Sequence, residues 1–137
     1  MKPNHQLLRL ILSFLLLSLI TTEVFSQVTR GAYLQMGHQT GITIRWRTSA
    51  NSNSRVRIGT SYLASGLYPA IIDNASSVTE HIIPVTGLTA DTKYYYSIGT
   101  STTVQQVSAN NFFTTAPPAN TTRKIRIAAF GDCGAET

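Results

Sequence analysis

The stretch GITIRWRT at residues 41–48 gives the clearest indication of how this chain folds. Its apolar side chains, Ile42, Ile44 and Trp46, stand at every second position. Successive side chains of a β-strand point to opposite faces, so these three lie together and the polar residues between them lie on the other side. The pattern predicts a strand with its apolar face turned to a core and its polar face turned to solvent.

Short alternating runs of the same kind occur on both sides of this strand, and no segment after residue 27 has the period of an amphipathic helix. A turn is predicted at SANSN (49–53), directly after the first run. The other predicted strands are VTRGAYLQM (28–36), SRVRIGT (54–60), SVTEHIIPV (77–85), TKYYYSIGT (92–100) and QQVSANNFFTT (105–115), with weaker strand material at GLYPAII (66–72). Six or seven short strands at this spacing predict an all-β fold, a two-sheet sandwich of the immunoglobulin or fibronectin type III-like kind.

The segment GLTADTKYYY at residues 87–96 predicts a corner that is typical of such sandwiches. Leu88, Thr92 and Tyr94 have the spacing at which the chain turns into the next-to-last strand. Ala90 stands where a proline is often found. We expect the Tyr94 hydroxyl to bond to backbone a few residues upstream.

Residues 1–26 are predicted to be a secretory signal peptide. Lys2 and Arg9 precede an apolar block over residues 10–20, and Ser26 is a small residue at the expected cleavage point. A signal anchor is the alternative, but the block is shorter than the ~20 residues that span a bilayer. We therefore expect export to a periplasmic or extracellular location and no stable membrane span after cleavage.

The mature chain divides into two unequal parts. Residues 27–117 are predicted to form the sandwich. Pro117 and Pro118, at its end, cannot continue a central strand, and residues 118–124 are predicted to be a linker. In residues 125–137 the alternating pattern changes to a continuous apolar run, which favours a strand buried on both faces. A second domain of α/β type is therefore predicted to begin there.

Charge and cysteine content narrow the function only slightly. The net charge is +5, of which Lys2, Arg9 and Glu23 in the signal contribute +1, leaving +4. This is compatible with an anionic partner but specific for none. Cys133 is the one cysteine, so no internal disulfide can form. Two glycosylation sequons, at Asn74 and Asn120, matter only in a host that glycosylates them.

Asp132 is the main candidate for chemistry. It directly follows the apolar run, at the carboxyl end of a strand, where open α/β sheets place their ligands. Gly131 and Gly134 allow a sharp turn beside it, and a carboxylate is a suitable donor for hard metal ions. The residues alone leave open that GDCG is an ordinary turn. Cys133 has no identifiable basic neighbour that would activate its thiol as a nucleophile.

Four arginines, Arg45, Arg47, Arg55 and Arg57, are predicted to lie on an outer sheet face. They would attract anions or nucleic acid if their strands were neighbours. An outward face needs polar residues in any case, so we interpret them as a solvated face and expect no nucleic-acid partner. His38 is expected in a solvent-exposed turn.

Taken together, the segments TRGAYLQMGHQTGITIRWRT, EHIIPVTGLTADTKYYYSIGT, FFTTAPP and IRIAAFGDCGAET resemble the purple acid phosphatases in order and spacing, from about Val28 to the last residue. The resemblance implies a fibronectin type III-like domain ahead of a metallophosphoesterase domain, and a secreted enzyme that hydrolyses phosphate monoesters. It also implies a dinuclear metal centre, of iron with zinc, manganese or a second iron, in which Asp132 is a ligand of the iron.

The family's later motifs, Gly-Asp-x-x-Tyr, Gly-Asn-His-Asp/Glu, an isolated His and Gly-His-x-His, do not occur in this sequence. GHQT at residues 37–40 resembles the last of them, but Thr40 stands where the second histidine should be. His81 falls on a predicted strand and is expected at the surface or at a sheet edge. We therefore expect an N-terminal fragment of such a phosphatase that is inactive by itself. The alternative is a stand-alone secreted binding or adhesion module, and homo-oligomerisation stays open.

Overall fold

The computed structural model describes residues 26–122 and 124. This part of the chain contains five β-strands and no helix, which confirms the predicted all-β class. The strands are β1 (Val28–His38), β2 (Gly41–Gly59), β3 (Ala70–Val85), β4 (Lys93–Gly99) and β5 (Val104–Thr114). The predicted signal peptide, apart from Ser26, and the predicted strand of a second domain lie outside the described residues.

All five strands belong to one antiparallel sheet that is organised around β2. The first half of β2, residues 42–47, pairs with β1 on one side and with the end of β3 on the other. Its second half, residues 55–59, pairs with the start of β3 and with β4, which in turn pairs with β5. The sheet curls until β1 and β5 meet, where the Ala32 N–H donates to Gln106 Oε1 at 3.2 Å. The two layers of the predicted sandwich are thus joined through β2 and β3.

The predicted turn at SANSN (49–53) is wrong, because β2 runs through these residues without interruption. The chain bends here through two register shifts in the pairing with β3, between Arg47 and Ser52 and between Ser52 and Ser54. Such irregularities let one strand pass from one layer of a β-sandwich to the other. The two runs that sequence patterning separated are therefore one strand, and β3 likewise joins two predicted runs.

A single apolar core fills the curled sheet. Ile44, Trp46, Val56 and Ile98 are completely buried, and the alternation predicted for residues 41–48 is confirmed. The remaining core side chains come from all of the strands except β1, which packs against the core with partly buried residues. Because no disulfide is available, the burial of this surface supplies the main stabilisation of the domain.

The predicted tyrosine corner is confirmed. The Thr89 N–H donates to the Tyr94 hydroxyl at 3.0 Å, and Leu88 is buried beside it. Thr115, just after β5, ties the same corner to the end of the domain: its hydroxyl donates to the Thr89 carbonyl at 2.6 Å and accepts the Thr92 N–H at 3.0 Å. The corner therefore fixes the point at which the chain leaves the sheet.

We predict that Tyr94→Phe lowers the free energy of unfolding by about 1–2 kcal/mol, because it leaves the Thr89 N–H without its acceptor while the ring still packs. Urea unfolding followed by circular dichroism would measure this loss. Tyr95→Phe is the matched control, since the Tyr95 hydroxyl makes no hydrogen bond within residues 26–122. Equal stability of the two variants would contradict a structural role for the corner.

Candidate functional site

The structure describes only some of the candidate site residues that the sequence predicted. Asp132 and Cys133 lie outside the described residues. His38 is exposed at the end of β1, as expected, and its Nδ1 accepts the Thr40 N–H at 3.3 Å. The structure places functional groups instead around a buried imidazole and around two groups of arginines.

His81 is completely buried, so its predicted position at the surface or at an edge is wrong. Its ring stacks on Trp46, with centroids 4.6 Å apart and planes 7° from parallel. Trp46 and His81 are register partners on β2 and β3, and both point into the core beside the bend. The alternation of SVTEHIIPV contained the signal, because His81 has the same parity as Ile83 and Val85.

Both imidazole nitrogens of His81 are bonded to hydroxyl groups. Nε2 lies 2.8 Å from Thr48 Oγ1, and Nδ1 lies 2.7 Å from Ser54 Oγ. The Thr48 hydroxyl proton is already donated to the Ala50 carbonyl at 2.9 Å, so Thr48 accepts from Nε2–H. Burial favours the neutral ring by lowering the pKa of His81, and in the neutral ring Nδ1 accepts the Ser54 proton.

This imidazole connects the two sides of the β2 bend, because Thr48 precedes the bend and Ser54 follows it. Burial lowers the pKa of His81, and the negative charge of Glu80 only partly opposes this effect. These hydrogen bonds stabilise the bend at neutral pH, and protonation of the imidazole at lower pH weakens them.

The prediction that all four arginines of β2 lie on a solvated face is wrong for Arg57. Its side chain points to the outer face of the sheet, yet it is 4% exposed. Ser97, its register partner on β4, donates to the Gly66 carbonyl at 2.6 Å, so the segment 60–69 covers this face. The pKa of Arg57 is lowered, first by burial and then by the positive charge of Arg55.

Arg55 is neutralised locally by Asp73. Its Nε and Nη2 each lie 2.6 Å from one carboxylate oxygen, a bidentate pair that lowers the pKa of Asp73 and raises that of Arg55. Arg55 Nη1 also donates to the Ser101 carbonyl at 2.8 Å, which attaches the β4–β5 turn to β2. Arg55 and Arg57 therefore contribute to structure more than to an open cationic surface.

Arg45 and Arg47 lie at the other end of β2, together with Arg30 of β1. Arg30 Nη2 and Arg47 Nε contact the two oxygens of Glu80 at 3.1 and 3.2 Å. Tyr33 lies under two of the guanidinium groups, 4.8 Å from Arg30 and 5.9 Å from Arg45. The sequence patterning did not single out Arg30 or Glu80, because only the register of β1 and β3 against β2 brings them to the same place.

An aromatic cluster lies on the outer face of β4 and β5. Tyr95 contacts Tyr62 and Phe112 at centroid distances of 5.8 and 5.9 Å. Lys93 Nζ lies 3.9 Å from the Phe112 ring centre and 4.7 Å from that of Tyr95, within cation–π distance. The lysine thus caps the rings of its own domain.

Two kinds of feature are absent from the described residues. They contain no group of three or more His, Cys, Asp or Glu side chains that could hold a metal ion. They also contain no helix with the length and apolar character needed to cross a membrane.

Comparison with protein families gives a match over the curled sheet. The family model described as Purple acid Phosphatase, N-terminal domain, matches residues 30–115, which is more than half of the chain. The match starts within β1 and ends one residue after β5, so it coincides with the curled sheet. The search of curated proteins found no match.

We predict that His81 makes the stability of this domain depend on pH below about 6.5, the ordinary pKa of an unfolded histidine. Because the folded-state pKa is lowered, the neutral ring contributes fully above that value. Its contribution is lost as pH falls toward the folded-state pKa, at up to about 1.4 kcal/mol per pH unit. Urea unfolding between about pH 7 and pH 5 would measure the slope. Asp73 does not contribute to the slope between pH 7 and pH 5. Its pKa is lowered, so its effect on stability changes only below about pH 3.9, the ordinary pKa of an aspartate.

His81→Gln should be less stable at neutral pH and should lose most of this slope. Tyr94→Phe serves as the control, because it is also destabilised but keeps the imidazole and therefore the slope. A His81→Gln variant that retained the full pH dependence would show that another group is responsible.

Proposed function

This chain belongs to the purple acid phosphatase family through its N-terminal domain, and we propose that it is part of a secreted, metal-dependent acid phosphatase that acts on phosphate monoesters. The observation that carries the proposal is the family match over residues 30–115. Secretion, to the periplasm or the cell exterior, is supported by the basic and apolar order of residues 1–26.

The metal centre is proposed from the family and from the sequence around Asp132. The described residues do not fit such a centre, since they contain no suitable group of ligands, and no step of the reaction is assigned to them. We propose that Asp132 is a ligand of the iron in a dinuclear centre of iron with zinc, manganese or a second iron. Two-metal centres of this kind serve phosphate-ester hydrolysis in phosphatases.

We also propose that the chain is the N-terminal part of such an enzyme and does not hydrolyse phosphate esters by itself. The support is that the family's later motifs, which supply the other ligands, do not occur in residues 1–137. The coding DNA after Thr137 tests this directly. A frame that continues into Gly-Asn-His and Gly-His-x-His motifs would support the proposal, whereas an immediate stop codon would favour the stand-alone binding module.

We predict that the protein encoded by a continued frame hydrolyses p-nitrophenyl phosphate in the presence of its metals, and that Asp132→Asn lowers kcat at least about 100-fold. The reason is that even residues that only orient metal ligands typically contribute 10–100-fold. The purified 137-residue chain should hydrolyse p-nitrophenyl phosphate no faster than buffer that contains the metal ions without protein.

Asp73→Asn is the matched control, because it removes one carboxylate from the sandwich and leaves the proposed centre unchanged. It should keep the rate of the unsubstituted protein. Turnover by the 137-residue chain that Asp132→Asn abolished would overturn the fragment proposal, and full activity of Asp132→Asn in the longer protein would overturn the role of this residue.

A further inference from the structure

Two arginines of the outer face stand in an arrangement that costs stability. Arg30 on β1 and Arg47 on β2 are direct register partners, and like charges directly opposite each other on a sheet are destabilising. Glu80, the register partner of Arg47 on β3, accepts one contact from each of them. One carboxylate therefore offsets two guanidinium groups, and the cluster keeps a net positive charge.

Most of the hydrogen-bonding capacity of these two side chains is unused. Arg47 contacts Glu80 through Nε at 3.2 Å, and its two Nη groups donate no hydrogen bond within residues 26–122. Arg30 contacts Glu80 and, at 3.4 Å, the Tyr33 hydroxyl through the same Nη2. The side chains of Arg30, Arg47 and Glu80 are 53%, 56% and 42% exposed, so a small molecule can reach them.

An open surface cavity of about 470 Å³ lies beside the pair and is lined by Thr29, Arg30, Arg47, Thr48 and Ser49. Glu80 is not one of the lining residues, but it contacts both of the arginines that are. The Ser49 hydroxyl accepts the Gln27 N–H at 3.1 Å, so its own proton remains to be donated. The cavity thus offers two guanidinium groups and a hydroxyl donor on its walls. Planar guanidinium forks match the oxygen geometry of phosphate and carboxylate groups.

The site is also ordered before any ligand arrives. The Tyr33 ring lies under Arg30, and Glu80 contacts both guanidinium groups. Arg45 adds a third positive charge over the same ring and is held by Gln35 at 3.1 Å. Side chains that are already positioned lose less entropy on binding.

We propose that Arg30, Arg47 and Glu80 form a binding site for inorganic phosphate on the outer face of β1, β2 and β3. The carboxylate decides which anion fits. Hydrogen phosphate carries a proton that it can donate to Glu80 while its other oxygens accept from the two arginines. Sulfate is fully ionised and has no proton to donate, so it meets the carboxylate as a like charge.

This site does not depend on the proposed hydrolysis. Its ligand is the product that phosphomonoester hydrolysis releases, but binding requires neither a metal nor Asp132. The two proposals can therefore fail independently of each other.

Isothermal titration of the purified protein with inorganic phosphate, in the presence of a metal chelator and at neutral pH, tests the site. We expect binding at one site per chain, at least about tenfold tighter than that of sulfate, as for one hydrogen bond to a charged group. Arg47→Gln and Arg30→Gln should each weaken phosphate binding about fivefold or more. Lys93→Gln removes one positive charge from the opposite, β4–β5 surface and should change binding less than about twofold.

Glu80→Gln gives the sharper test, because it should remove the preference for phosphate over sulfate while anions still bind. Sulfate should gain affinity in this variant until it binds within about twofold of phosphate. The proposal is overturned if phosphate does not bind, if Lys93→Gln weakens binding as much as Arg47→Gln, or if the preference for phosphate survives in Glu80→Gln.

Discussion

The buried His81 imidazole, which stacks on the Trp46 indole, joins the two halves of the sheet through its hydrogen bonds. β2 bends at residues 49–53, and the pairing with β3 loses its regular register there. The imidazole bonds to Thr48 before the bend and to Ser54 after it, so one side chain replaces part of the ladder that the bend interrupts. A buried polar group is stabilising only when its hydrogen bonds are complete, and here both ring nitrogens have partners.

The bend also determines how charge is distributed. The arginines of β2 alternate outward along one strand, but the bend places Arg45 and Arg47 against β1 and Arg55 and Arg57 against β4. In the second half, Asp73 and the 60–69 segment neutralise or cover the positive groups. In the first half, one carboxylate contacts Arg30 and Arg47, and Arg45 is bonded to the neutral Gln35, so an excess of positive charge lies on the outer face of β1 and β2. One strand thus contributes both structural and accessible arginines.

Family membership and the geometry of the described domain address different questions. The match over residues 30–115 identifies the sandwich as an N-terminal domain of purple acid phosphatases. Such sandwiches carry many functions, so the fold alone does not specify what this domain contributes. The phosphate site proposed at Arg30, Arg47 and Glu80 would give the domain a ligand of its own.

The sequence by itself determined the all-β class, the inward faces of residues 42–46 and the tyrosine corner at Tyr94, because each of these depends on local periodicity or on spacing within a few residues. It also contained the motifs that resemble those of the purple acid phosphatases. Only the tertiary structure decided that residues 49–53 continue a strand, that His81 is buried and that Arg57 is covered, since each depends on pairing with residues far away in the chain. The same holds for the Arg30, Arg47 and Glu80 cluster, because register between strands is set by the packing of the whole sheet.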